Sequence, residues 1–349
     1  MLHNVFKIRG KSGVGFPFIF DLRKEIFMYI IIGLFVFLLC YVLTPAVTKI
    51  AWYIGAVDVP LDGRRMHRRS IPRDGGVAIF ISFLVGLAIL EEWDSFVISL
   101  AFGSFAMMLV GLADDIFGLG AWAKLLLQIG IAIAAVWGSE IANGIWTVAA
   151  VFWVVLLINA HNFIDGLDGL LCGCGAIECL MLGACFLIAG NGILGIVSLY
   201  LMAACVAFRI YNRYPAHVFA GDCGSEALGF SLGILSLPLF GQGIHLSTLA
   251  PMFIFAYPII DLFSSVLRRI LHGYSPFRAD RAHLHHRVFS AGISHGECAD
   301  ILMSLCAVFG VLGVLISAEN FWLLAGVLCI PAVLFLIAVK RYVLIGQHQ

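Results

Sequence analysis

The sequence predicts an all-α fold: a polytopic integral membrane protein of about eleven transmembrane helices with its polar clusters gathered on the cytoplasmic face. Three observations carry that expectation. The chain is 62% hydrophobic and 12% charged, whereas a soluble domain is about a quarter charged and roughly half apolar. Stretches of about 20 mostly apolar residues, the length that crosses a bilayer, recur along nearly the whole of it. The breaks between those stretches alternate between loops devoid of Lys and Arg and loops rich in them.

Taken in order, the apolar runs centre on residues 27–50, 76–90, 97–113, 122–138, 145–160, 170–190, 192–208, 226–240, 247–270, 300–317 and 320–339. One set of breaks holds Glu91, Glu92 and Asp94, then Glu140, Asn191, Gln242 and Glu319, with no basic residue. The other set holds Arg64, Arg65, Arg68, Arg69 and Arg73, then Lys124, Arg209, Arg213, Arg268, Arg269, Arg278, Arg281, Arg287, Lys340 and Arg341. Short loops on the cytoplasmic side collect Lys and Arg, so the second set and the C-terminus are expected there. Lys7, Arg9, Lys11, Arg23 and Lys24 run against the pattern. They are accommodated if residues 1–27 form an N-terminal extension and the native chain starts at Met28. The expected organisation is then one transmembrane catalytic domain over 28–342 and a cytoplasmic tail over 343–349. No cleavable signal peptide, internal repeat or separate soluble domain is evident.

Formal net charge is zero, which gives no ground for a nucleic-acid partner. The ten cysteines lie mostly within apolar runs, where cysteine serves as a small hydrophobe. Cys172 and Cys174 lack the two-residue spacer of a redox or zinc pair.

Five polar clusters stand out, all on the basic set of loops. Asp114 and Asp115 close the third span. Adjacent acids raise each other's proton affinity, and a divalent cation or acid–base work would offset that; a solvated helix end is the plainer reading. Residues 159–170 pack Asn159, His161, Asn162, Asp165, Gly166, Asp168 and Gly169 between apolar stretches. Their amides suit a base, a sugar or a diphosphate. Residues 221–225, Gly-Asp-Cys-Gly-Ser, place Asp222 as a hard-cation ligand among small residues, with Asn212 and Pro215 upstream. Residues 278–287 combine Arg281 with His283, His285 and His286, a set suited to a diphosphate; zinc is the competitor, disfavoured for want of a completing ligand set. The basic loop from Asp58 to Gly76 sets topology and attracts anionic head groups. Glu178 and Asp261 lie inside apolar runs, where ionisable groups are costly.

These clusters, in this order, resemble the polyprenyl-phosphate N-acetylhexosamine 1-phosphate transferases, a glycosyltransferase family 4 type. The matching positions run from Asp58 through Arg287. MurNAc-pentapeptide transferases share the Asp pair, the Asn/Asp segment and the Gly-Asp-x-Gly-Ser turn. The His-Leu-His-His-Arg segment resembles the hexosamine branch instead. Arg65, where a lysine is usual, and His161 depart from the pattern, and His161 is a candidate influence on sugar choice.

The resemblance implies a reaction. N-acetylhexosamine 1-phosphate, GlcNAc 1-phosphate by default, passes from a UDP-sugar to undecaprenyl phosphate at the cytoplasmic face of a bacterial inner membrane. UMP is released, and surface-polysaccharide synthesis begins, O-antigen and lipopolysaccharide included. It implies Asp114, Asp115 and Asp222 as catalytic, with Mg²⁺ (or Mn²⁺ in its place) on Asp222 and Asp115. Asn159, Asn162, Asp165, Gly166, Asp168, Asn212, Arg281, His283, His285 and His286 are implied as substrate-binding. A direct attack and a two-step route through a phosphorylated aspartate both remain open, as do monomer and homodimer. MurNAc-pentapeptide transfer and a lipid or sugar carrier are the alternatives. The latter is disfavoured because transporter polar groups sit near the bilayer midplane.

Overall fold

The computed structural model describes residues 16–58, 70–90, 93–241, 246–273 and 293–319, with side chains from residue 25 onward. The apolar runs become helices: α1 (Phe16–Ile54), α2 (Gly76–Ile89), α3 (Ser95–Phe117), α4 (Ala121–Gly138), α5 (Ile145–Ile164), α6 (Leu170–Ile188), α7 (Gly192–Asn212), α8 (Gly221–Ser236), α9 (Ala250–Ile254), α10 (Ala256–Leu271) and α11 (His295–Ser317). Among the described residues eight helices are long and apolar enough to cross a membrane. A ninth span is bent by 67° between Leu246–Ile254 and Ala256–Leu271. The short α2 is apolar as well. The run expected over 320–339 lies outside the described residues. The chain is thus an all-α polytopic membrane protein.

Several ends are set by local chemistry. Asp94 caps α3 by accepting from Val97 N–H at 2.8 Å, Asn191 caps α7 through Leu194 N–H, and Ser294 and Glu297 form a capping box on α11. Boundaries differ from the apolar count where polar residues belong to helices. α3 runs to Phe117, so Asp114 and Asp115 occupy its last turns rather than a following loop. α5 runs to Ile164 and takes in Asn159, His161 and Asn162. α8 starts at Gly221, five residues before the apolar run. Hydropathy misses such turns because their polar groups face the interior of the bundle. α1 is continuous from Phe16 through the expected boundary at residue 27.

The centre of the bundle is α8, whose residues from Cys223 to Ser236 are all buried. Small residues let its neighbours approach closely, as helices do in lipid. A methyl group on Gly76 would strike the backbone of Gly224, and one on Gly111 the backbone of Asp222 and Cys223. One on Gly229 would strike Leu157 and Ile158. Ser104 and Ser231 share a hydrogen bond of 2.7 Å across α3 and α8, and Trp153 donates to Ser236 at 2.9 Å. Outside, large apolar side chains such as Phe102, Leu126, Trp137 and Trp146 are exposed, the surface that lipid covers. Exposed Trp122 and Trp137 bracket α4, about 22 Å apart at 1.5 Å per residue, as in an aromatic belt.

A two-stranded antiparallel ribbon, β1 (Val57–Asp58) with β2 (Ile71–Pro72), returns the first loop to the bundle. Phe219 N–H donates to Pro72 O at 2.9 Å, and Gly75 and Gly76 donate to Phe219 O and Ala220 O at 3.0 and 2.9 Å. The entry to α2 and the entry to α8 are therefore one backbone unit.

Candidate active site

The C-terminal ends of α3, α5 and α7 and the N-terminal ends of α2, α4, α6, α8 and α11 meet at one end of the bundle. At their centre three carboxylates close on one ammonium. Lys124 Nζ lies 2.8 Å from Asp114 Oδ2, 2.7 Å from Asp222 Oδ2 and 2.6 Å from Glu226 Oε1. The side chain of Glu226 is fully buried, whereas that of Asp222 is 33% exposed, so the site opens to solvent at Asp222. Asp222 stands in the first turn of α8, where the positive end of the helix favours a carboxylate. Asp114 Oδ1 is fixed by Leu119 N–H at 2.6 Å.

Two asparagines one turn apart on α5 complete this wall. Asn162 donates to Asp222 Oδ1 at 2.7 Å and to Ser225 Oγ at 3.0 Å. Asn159 donates to Gln128 Oε1 at 2.9 Å, and Gln128 donates to Glu226 Oε1 at 3.2 Å. Asp115 points to the other side of α8. Its Oδ2 accepts Cys223 N–H at 3.0 Å, and it groups with Asp74 and Cys223, whereas Asp114 groups with Asp222 and Glu226. Gly221 makes this fit possible. Its φ is +73°, and a methyl group there would stand 2.7 Å from Asp115 Oδ2 and 3.1 Å from Asp74 N.

The rest of the Asn/Asp segment forms the rim. Asp165 follows α5 directly, and burial, then the charges of Asp222, Asp115 and Asp168, push its carboxyl well above the usual carboxylate value. Gly166 is exposed. Asp168 accepts Ala216 N–H at 2.9 Å and lies 3.9 Å from His295 Nδ1. Asn212 is buried, accepting from Gly169 N–H at 3.0 Å and donating to Val218 O at 2.9 Å. Its amide thus holds the loop to the segment that leads into α8. Arg281, His283, His285 and His286 lie outside the described residues. His161 turns away from the site into the core. Its Nε2 meets Glu178 Oε2 at 2.8 Å and its Nδ1 meets Leu157 O at 2.8 Å, so it contacts no pocket surface and gives Glu178 its partner. All nine described cysteines are buried and free.

Sequence reasoning missed Lys124, Glu226, Gln128 and Asp74 as site members. Lys124 read as a topology charge and Asp74 as part of a basic loop. Glu226 was counted into an apolar run, though it lies one turn beyond Asp222, which is the available signal.

The donor chemistry fits a hard divalent cation. Asp114, Asp222 and Glu226 face a single described cation, Lys124, and Glu226 Oε2 is buried without a partner. Such a set of oxygens carries more negative charge than one ammonium offsets.

The chain was compared with known proteins. The model of glycosyl transferase family 4 matches residues 97–239, the segment that supplies every group around Lys124. Among curated proteins, the chain is 33% identical to a "Probable undecaprenyl-phosphate N-acetylglucosaminyl 1-phosphate transferase" of Bacillus subtilis, over 81% of this chain and 83% of the relative. It is 31% identical to an undecaprenyl-phosphate alpha-N-acetylglucosaminyl 1-phosphate transferase of Thermotoga maritima, over 79% and 87%. It is 28% identical to the protein of that name from Yersinia pestis, over 88% and 90%.

Proposed function

This chain belongs to glycosyl transferase family 4, and we propose that it transfers N-acetylhexosamine 1-phosphate, by default GlcNAc 1-phosphate, from a UDP-sugar to undecaprenyl phosphate with release of UMP. The observation that carries the reading is the convergence of Asp114, Asp222 and Glu226 on Lys124, with Asn162 on Asp222, at one end of an apolar bundle. A water-soluble nucleotide sugar and a lipid-bound phosphate meet only at a membrane surface, which is where these groups lie.

In this reaction an oxygen of the lipid phosphate attacks the phosphorus attached to the sugar. The bond from that phosphorus to the bridging oxygen breaks, and UMP departs with that oxygen. Phosphoryl transfer of this kind is promoted by positioning and charge neutralisation. Asp114 is held in place by Leu119 N–H and Lys124, and takes the proton of the attacking phosphate. Lys124 holds the carboxylates of Asp114, Asp222 and Glu226 together. Asn162 keeps one oxygen of Asp222 oriented, and the rim of Asp165, Gly166 and Asp168 receives the nucleotide sugar. Asp222, with Asp114 and Glu226 beside it, would hold Mg²⁺, which when bound supplies charge neutralisation to the diphosphate.

The cytoplasmic side is supported by Arg209, Arg213 and Arg269 at the same end of the bundle. Arg209 donates to Gly169 O at 3.2 Å, and the Arg269 guanidinium lies 5.2 Å from the Phe163 ring centre. Basic residues at membrane ends face the cytoplasm.

The test is UMP release by purified, detergent-solubilised protein with undecaprenyl phosphate, Mg²⁺ and a panel of UDP-N-acetylhexosamines. Magnesium-dependent turnover, abolished in Asp222→Asn, is expected, and the active donor identifies the sugar. Folded protein that releases no UMP from any donor overturns the proposal.

A further inference from the structure

We propose a second divalent-cation site, held by the carboxylates of Asp74 and Asp115 with the Cys223 thiol at its edge, separate from the Asp114–Asp222–Glu226 group. The proposal extends the metal reading above, and its test separates the two.

Asp74 comes from the turn before α2, far in sequence from the other site residues. Its backbone has no freedom to withdraw. Arg73 N–H before it donates to Ala56 O at 2.9 Å, Gly75 N–H after it donates to Phe219 O at 3.0 Å, and Val77 N–H donates to Asp74 O at 3.1 Å. Asp74 is only 3% exposed, and both of its side-chain oxygens are sealed from solvent with no N–H or hydroxyl donor among the described residues. What faces them is another carboxyl, that of Asp115. Burying a carboxylate without compensation costs several kcal/mol, so this arrangement calls for a positive charge.

Among the described residues, the cations near the pair are committed elsewhere. Arg73, next in sequence, turns away to Asp58 at 2.6 Å. Lys124 is enclosed by Asp114, Asp222 and Glu226. A proton shared between Asp74 and Asp115 would join one oxygen of each and leave the second oxygen of Asp74 buried with nothing to bond. A metal ion meets several oxygens at once. Ligand atoms from Asp74, Asp115 and Cys223 all lie within 4.8 Å of one another. Atoms bound at about 2.1–2.5 Å from one ion stand no more than about 5 Å apart. The Cys223 thiol leans on Ala220 O at 3.3 Å, so the two carboxylates are the principal ligands. An ion there ties the turn before α2 to α3 and to the first turn of α8, and places a second positive charge beside the diphosphate site. Paired ions of this kind clamp both sides of a phosphoryl displacement.

The experiment counts Mn²⁺ bound to purified, detergent-solubilised protein by equilibrium dialysis and electron paramagnetic resonance, without substrate. Wild type is expected to bind two ions, Asp74→Asn one, and Asp222→Asn one. Asp74→Gly, suited to the φ of 70° at this position, replaces Asn if that variant fails size-exclusion chromatography. One ion in both wild type and the Asp74 variants refutes the second site while leaving the first intact. Two ions in the Asp74 variants refute this location. No Mn²⁺ in wild type overturns both metal readings together.

Discussion

Lys124 and a divalent cation should compete for the same carboxylates, and Lys124→Met tests that directly. The ammonium makes three contacts of 2.6–2.8 Å, each on the order of 6 kcal/mol at an effective dielectric of about 20. Desolvation and the mutual repulsion of Asp114, Asp222 and Glu226 offset most of that sum. Removing one partner from a buried charge cluster costs about 3–5 kcal/mol net. In chelator, Lys124→Met is therefore expected to unfold well below wild type. Saturating Mg²⁺ should then recover a large part of the gap, because a ligand at 100 times its Kd adds about 2.7 kcal/mol. The assay is thermal unfolding by tryptophan fluorescence in detergent, at one scan rate, across a Mg²⁺ series. A Mg²⁺-induced shift in the variant no larger than in wild type would mean that ion and ammonium do not share these oxygens.

Further outcomes follow from the same geometry. Gly221→Ala forces a methyl group to 2.7 Å from Asp115 Oδ2 at a left-handed φ, costing roughly 1–2 kcal/mol in backbone alone; kcat should fall about tenfold or more, and wild-type turnover would contradict the packing. Glu178→Leu strands His161 in the core and should cost about 3–5 kcal/mol, whereas His161→Val with Glu178→Leu should recover much of it; strictly additive losses in thermal unfolding would deny that the two interact. Asp165 has a folded pKa raised above its ordinary 3.8, so the folded state holds its proton longer than the unfolded chain. Its contribution to stability therefore falls as pH rises from 3.8 through the folded value. Asp165→Asn should melt higher than wild type near neutral pH and flatten the decline that sets in above pH 3.8, while losing UMP release; an unchanged melting profile would refute the assignment.

The sequence made the helices legible because lipid demands long apolar runs, and ten of the eleven expected runs coincide with described helical segments. It also exposed Asp114, Asp115, Asn159, Asn162 and Asp222, since acids and amides beside glycines are conspicuous against an apolar chain. Lys124 was not legible as a site residue, because its partners Asp222 and Glu226 lie about a hundred positions away and only folding joins them. Asp74 was hidden among arginines whose charge has the opposite sign. His161 and Glu178 each looked anomalous alone; each is explained by the other, 17 residues away on the neighbouring helix. The bend at Phe255 left no hydropathy signal, because both of its halves are apolar.

The glycine crossings carry a consequence for how this enzyme family member adapts. Where α2 and α3 touch the first turn of α8, main chain rests on main chain, with no side chain between them to change rotamer. The frame that aims Asp222 thus has no adjustable part, and a substrate of different shape must be met by something other than movement of that helix. Variation in donor preference is expected to arise from substitutions on the rim, around Asp165 to Asp168. The carboxylate frame behind them should stay fixed through such changes.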